Sequence, residues 1–160
     1  MRIYLLALVL LFPAISFAEV FLSPQEAIKD IFPDYQEYKT QTHILGQKKV
    51  KVFSIFKDTL PLGWAVVLDE MGLKEPITFL VGIDIEGRVL DVYVLEYREP
   101  RGFEIREEFF MRQFQGKSAE APLVVGKDID AVTHATISSQ AASRAVKKAL
   151  QLVNNLRSSR

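Results

Sequence analysis

Asp130, Thr133, Thr136, Ser138 and Ser139 fall within one ten-residue stretch, Asp130-Ala131-Val132-Thr133-His134-Ala135-Thr136-Ile137-Ser138-Ser139. Their oxygens can act as nucleophiles, as phosphate acceptors or as caps for backbone N–H groups. The stretch leads directly into an apolar stripe of Ala142, Ala145, Val146, Ala149, Leu150, Val153 and Leu156, interleaved with Arg144, Lys147, Lys148 and Asn154. That spacing predicts a terminal helix from near Ser138. At a helix start, N–H groups without acceptors meet the positive end of the dipole, so an anion such as phosphate finds a seat with hydroxyls in reach. Spacing alone favours a plainer role, in which Ser138 or Thr136 simply caps the helix for about 1 kcal/mol.

Other chemistries are less well served. Asp130, His134 and Ser138 have the residue types of a hydrolase triad, but they crowd into nine residues and no Gly-x-Ser-x-Gly elbow accompanies them. Glu96, Glu99, Glu104, Glu107 and Glu108 read as solvated charges of a loop and a helix rather than as paired catalytic carboxylates. Phe103, Phe109, Phe110 and Phe114 recur as core aromatics do, more than as a stacking surface, and Trp64 shares that ambiguity. There is no cysteine, which removes disulfides, thiolate metal sites and iron–sulfur ligation. With only His43 and His134 as imidazoles, any redox chemistry calls for an organic cofactor. The 20 Lys and Arg residues balance 20 Asp and Glu, so the chain carries no electrostatic footprint for nucleic acid.

The elements that hold these residues belong to a chain of 160 residues, 49% hydrophobic and 25% charged, the size and balance of one packed domain. Arg2, the uncharged run from Ile3 and the closing Ser16-Phe17-Ala18 make residues 1–18 a signal peptide, cleaved after Ala18 and directing the chain out of the cytoplasm. The alternative is an uncleaved membrane anchor extended by Val20, Phe21 and Leu22. Ser23-Pro24-Gln25-Glu26 opens a helix that runs to about Phe32. The alternation from Thr42 to Phe56 predicts one half-buried strand, and Asp58 to Gly63 a turn.

Trp64–Leu68 is a short apolar run, followed by a loop over Asp69–Pro76. Ile77–Ile85 and Val89–Tyr97 read as strands of a hairpin, covered on both faces and joined through Glu86-Gly87. A charged loop, Arg98 to Gly102, precedes an amphipathic helix over Phe103–Phe114, and Leu123–Val125 reads as a weak strand. The expected class is α+β: a single domain with an antiparallel sheet, a hairpin, flanking helices and a long C-terminal amphipathic helix.

The Asp130 segment resembles the flavinylation motif of the FMN-binding domain family, found in the G subunit of the Rnf electron-transport complex, the C subunit of the sodium-translocating NADH:quinone reductase and the regulator of nitrous oxide reductase. The family pattern is Asp, two variable residues, Ser or Thr, Gly, Ala, then Thr or Ser; Asp130, Thr133, His134, Ala135 and Thr136 stand at those positions, and Ile137-Ser138-Ser139 continue the match. Similarity extends in order from about Gly63 to Leu150, through Gly72-Leu73-Lys74-Glu75-Pro76-Ile77, Glu96 to Gly102 and Phe114-Gln115-Gly116-Lys117.

The resemblance implies FMN bound covalently through a phosphoester to Thr136, installed by an exported flavin transferase that uses FAD. It implies an extracytoplasmic electron carrier with a membrane or periplasmic redox partner; the alternative is a secreted FMN-binding or sensory module without an electron-carrier role. With the signal peptide (1–18) already read from its residues, the chain divides further into an N-terminal helix and strand extension (19–62) and an FMN-binding domain (63–160), and the resemblance adds Gly72, Leu73, Glu99 and Gly102 to the cofactor-binding positions. Two departures stand out. His134 replaces the family's glycine, where a positive φ or a close ligand approach is expected, and histidine is among the residues enriched at positive φ. Glu99-Pro100-Arg101-Gly102 keeps only the ends of a Glu-Thr-Pro-Gly stretch expected to border the isoalloxazine ring.

Overall fold

The computed structural model describes residues 19–159; the expected signal peptide lies outside the described residues. Six strands form one antiparallel sheet: β1 (Glu19–Val20), β2 (Glu37–Leu45), β3 (Lys48–Lys57), β4 (Leu60–Met71), β5 (Pro76–Asp84) and β6 (Val89–Tyr97). Their order is β1-β6-β5-β4-β3-β2, so β2 to β6 run as a meander and β1 closes onto the far edge. Helix α1 (Pro24–Ile31) covers one face, and the terminal helix α3 (Thr136–Ser158) covers the other. This is the single-domain α+β architecture expected from the sequence.

Alternation on β5 shows how the two layers are built. Ile77, Phe79, Val81 and Ile83 enter the core shared with α3, whereas Leu80 joins the smaller core under α1 with Ala27, Ile28 and Phe32. Both faces are covered, as the near-continuous apolar run of this hairpin predicts. Helix α1 starts with a complete capping box: the Ser23 hydroxyl accepts from the Glu26 N–H at 3.3 Å, and the Glu26 carboxylate accepts from the Ser23 N–H at 2.8 Å.

Several boundaries differ from the sequence reading. The single strand expected over Thr42–Phe56 is a hairpin, in which β2 and β3 meet at the turn of Gly46 and Gln47 and Leu45 pairs with Lys48. Strand β2 is the sheet edge and mostly exposed, so no apolar alternation marks it. The turn expected over Asp58–Gly63 shrinks to Asp58-Thr59, and β4 begins at Leu60. Pro61 is tolerated there because β4 pairs with β5 only from Gly63 onward, leaving one side of the strand free of N–H obligations. At the other end β4 continues through Met71, which shortens the following loop to residues 72–75.

The helix expected over Phe103–Phe114 is three short pieces: a 3-10 turn (Phe103–Arg106), helix α2 (Glu108–Met111) and a second 3-10 turn (Arg112–Phe114). Glu107 is extended (φ −62, ψ 137) and breaks the helical phase. Consequently Ile105, Phe110 and Phe114 are buried while Phe109 and Phe103 face outward, at 67% and 46% exposure, so these two are not the core residues their spacing suggests. Residues 123–125 form no strand and contribute one isolated bridge, Val125 to Ile129.

Candidate functional site

Helix α3 begins at Thr136, two residues before the expected start. The chain reaches it through a loop fastened by Ser139, whose wholly buried hydroxyl accepts from the Val132 N–H at 3.1 Å and donates to the Ala135 carbonyl at 2.9 Å. His134 lies in that loop at φ 65, the left-handed conformation that its glycine-equivalent position requires. The N-cap residue is Ala135, and no side chain caps the helix. The first intrahelical bond runs from the Ser139 N–H to the Ala135 carbonyl at 2.8 Å. The N–H groups of Thr136, Ile137 and Ser138 therefore stand before the first acceptor of the helix and point toward the loop.

Neither hydroxyl expected to cap the helix does so. Ser138, buried, turns its Oγ to the Tyr97 hydroxyl at 3.0 Å. Tyr97 has one proton, and it goes to the Arg101 carbonyl at 2.6 Å, so Ser138 is the donor in the pair. Burial, with Glu99 and Glu104 adding their negative charge, raises the Tyr97 phenol above its ordinary range, and the Ser138 hydrogen bond opposes the shift. Thr136 remains exposed at the first helical position.

Gly102 packs against this relay at φ 89. A Cβ there would approach Ser138 Oγ to 2.8 Å and the Tyr97 hydroxyl to 2.9 Å, so both the backbone and the space demand glycine. On the opposite wall Glu99, only 8% exposed, accepts from the N–H groups of Lys74 and Glu75, the latter at 2.9 Å. A Cβ on Gly72 would come within 2.6 Å of the same carboxylate. Glu99 thus ties the 72–75 loop to the loop after β6.

Between these walls lies an open cleft of about 670 Å³. Leu73 and Lys74 line one side, Glu99, Pro100 and Arg101 another, and His134 to Ser138 the third. Of the positions singled out in the sequence, Leu73, Glu99, His134, Ala135, Thr136, Ile137 and Ser138 meet around this space, with Gly72 and Gly102 packed against its walls. Asp130, Thr133 and Ser139 do not line it. Asp130 is held by its backbone, which exchanges two hydrogen bonds with the Gln113 side chain (2.7 and 3.1 Å). Thr133 is exposed in the turn before the helix, and Ser139 is buried beneath it. Tyr97 and Gln113 were not foreseen; a tyrosine closing a strand just before a charged loop is a faint signal for the first, and nothing in the sequence marks the second.

The space, the free N–H groups and the flanking Lys74 and Arg101 suit a ligand with an anionic group and a sizeable planar or apolar body. Among the described residues no cluster of His, Asp and Glu could hold a metal ion. Fold and cleft thus define an α+β protein with an anion seat at the start of its terminal helix. The FMN-binding domain profile matches residues 72–151, half of the chain, and includes every residue of the cleft. The chain belongs to the FMN-binding domain family. It is 31% identical over 104 residues to the G subunit of the proton-translocating ferredoxin:NAD(+) oxidoreductase complex of Clostridium ljungdahlii. That match takes in 61% of this chain and 56% of the relative, so the chain aligns with little more than half of the relative's length.

Proposed function

We propose that this protein is an extracytoplasmic electron carrier with FMN esterified to Thr136. The observation that carries the reading is the first turn of α3: its N–H groups have no cap, and the Thr136 hydroxyl is exposed beside them at the mouth of the cleft. A phosphate on that oxygen keeps a negative charge, which the N–H groups of residues 136–138 and the helix dipole offset. Lys74 and Arg101 add positive charge at the rim. His134 supplies the left-handed step that brings the chain into the helix, and Glu99 and the Tyr97–Ser138 pair fix the two remaining walls.

Attachment forms one P–O bond to Thr136 and releases the hydroxyl proton; with FAD as donor, AMP leaves from the broken pyrophosphate. An exported flavin transferase is the partner that performs it. When bound, FMN supplies reversible electron storage, and the protein tunes it through charge, hydrogen bonds and burial. The relative is a subunit of a ferredoxin:NAD(+) oxidoreductase complex, which supports an electron-transfer role and a membrane or periplasmic redox partner. Among the described residues no helix is long and apolar enough to cross a membrane; export is assigned to residues 1–18, whose sequence has the pattern of a signal peptide.

The test is the intact mass of protein exported by a host that expresses a flavin transferase. A gain of one FMN less one water, colour that survives denaturation, and loss of both in Thr136→Ala support the ester. A chain weighing only its amino acids, or a Thr136→Ala variant that stays firmly yellow, refutes it. Reversible redox titration of the coloured protein separates a carrier from a passive FMN-binding or sensory module.

A further inference from the structure

A second concavity, of about 510 Å³, flanks the same 72–75 loop from the other side, between the tip of the β2–β3 hairpin and α3. Its floor is apolar: Leu45, Val50, Leu68 and Pro76 line it, and the first three belong to or pack against the core under α3. Leu45 pairs with Lys48 across the hairpin, so the Lys48 side chain rises from the same face. Its ammonium donates to the Asp69 carbonyl at 3.0 Å and forms no ion pair among the described residues. Lys148 reaches in from α3 and pairs with Glu70, which is 4% exposed and also held by Arg144 at 3.3 Å.

The charges around this space are unequal. Strand alternation turns Lys49 and Asp69 toward the opposite face, where both border a separate cleft and Asp69 accepts from the Thr78 hydroxyl at 2.6 Å. Lys49 and Asp69 also border this space, so its lining carries Lys48, Lys49 and Lys148 against Asp69 and Glu70, and Glu70 is held in addition by Arg144 from outside it. Glu70 is satisfied by two partners and fixes the Lys148 head, whereas Lys48 keeps its charge at the edge of apolar space. The volume is that of a small-molecule site, and the mixture of apolar floor and convergent cations is selective.

We infer that this concavity binds an amphipathic anion: an apolar chain or ring lying on Leu45, Val50, Leu68 and Pro76, with one carboxylate or sulfonate head between Lys48 and Lys148. An uncharged apolar ligand leaves the excess cations uncompensated, and a cationic one is repelled. The inference is independent of the flavin ester, since none of these residues lines the Thr136 cleft.

The experiment is calorimetric titration of the exported holoprotein with dodecanoate, below its micelle concentration, against dodecyltrimethylammonium with the same tail. One saturable dodecanoate site is expected, with at least tenfold weaker binding of the cation. Lys48→Glu and Leu45→Asp should each weaken dodecanoate at least tenfold, while Thr136→Ala, which lacks the flavin acceptor, should bind it unchanged. Lys48 is exposed on a hairpin, so its charge reversal does not threaten the fold; if Leu45→Asp fails to fold, the Lys48→Glu and cation arms decide. Absence of a saturable site, equal binding of both tails, or wild-type binding by Lys48→Glu overturns the inference. So does sedimentation showing a dimer that excludes dodecanoate, which would make a second copy of the chain the occupant.

Discussion

Thr136 and Ser138 are hydroxyl residues in one helical turn, yet their surroundings give them opposite work. Ser138 is buried and committed to Tyr97, while Thr136 is exposed and free to be esterified. Tyr97→Phe should leave Ser138 Oγ and the Arg101 carbonyl without their partner and lower stability by about 2 kcal/mol, read from the urea midpoint. Because the folded state raises the Tyr97 phenol, the neutral form is the one the fold favours. The associated stability is complete below the unfolded phenol's pKa of about 10 and falls as pH climbs through the folded value. Wild type should therefore lose stability more steeply above that pH than Tyr97→Phe. Glu99, if it borders the flavin ring as the resemblance implies, acts through charge as well as position: it is a buried carboxylate held by two N–H groups, with no cation paired to it among the described residues. Glu99→Gln should shift the flavin midpoint potential to more positive values in a spectroelectrochemical titration, because removing a negative charge beside the ring favours reduction. An unchanged potential would place the ring away from this wall.

At the scale of elements, the capping box of α1 offers the cleanest test. Ser23→Ala should lower stability by about 1 kcal/mol at neutral pH, measured by chemical denaturation. The Ser23 hydroxyl and N–H hold the Glu26 carboxyl below its ordinary range. In the window between the folded and unfolded values the unfolded chain binds more protons, so this contribution is present at neutral pH and disappears as acid is added. The difference between wild type and Ser23→Ala should accordingly narrow toward pH 3. This helix was legible because its signals are local: a cap, a proline and an acidic first turn within four residues. The β5–β6 hairpin and α3 were legible because their apolar positions keep one period throughout. Strand β2 was not, since an edge strand with mostly exposed side chains writes no hydrophobic pattern. The 103–114 segment misled because one extended residue, Glu107, resets the phase and rotates Phe109 into solvent. In the cleft, the motif resemblance pointed to Thr136, Glu99 and Gly102, but the Tyr97–Ser138 contact joins residues 41 apart in sequence, and only the folded chain reveals it.

On the proposed function, export and cofactor attachment are linked at the scale of the whole molecule. Glu19 pairs with Tyr97, and the strand pairings and both cores seen among the described residues lie within residues 19–159. Protein contacts hold the walls of the cleft: Ser139 fastens the loop before α3, Glu99 ties the 72–75 loop, and Tyr97 secures Ser138. If FMN is attached as proposed, attachment depends on where the folded domain meets its transferase. A chain lacking residues 1–18, retained in the cytoplasm of a host whose flavin transferase is exported, should fold with an ordinary cooperative thermal transition and weigh only its amino acids. The full-length chain from the same host should be recovered outside the cytoplasm with the added mass of the flavin. A cytoplasmic chain that carries the ester would sever the link between export and attachment. One that fails to fold would mean that the cofactor, or the first 18 residues, contributes to the core after all.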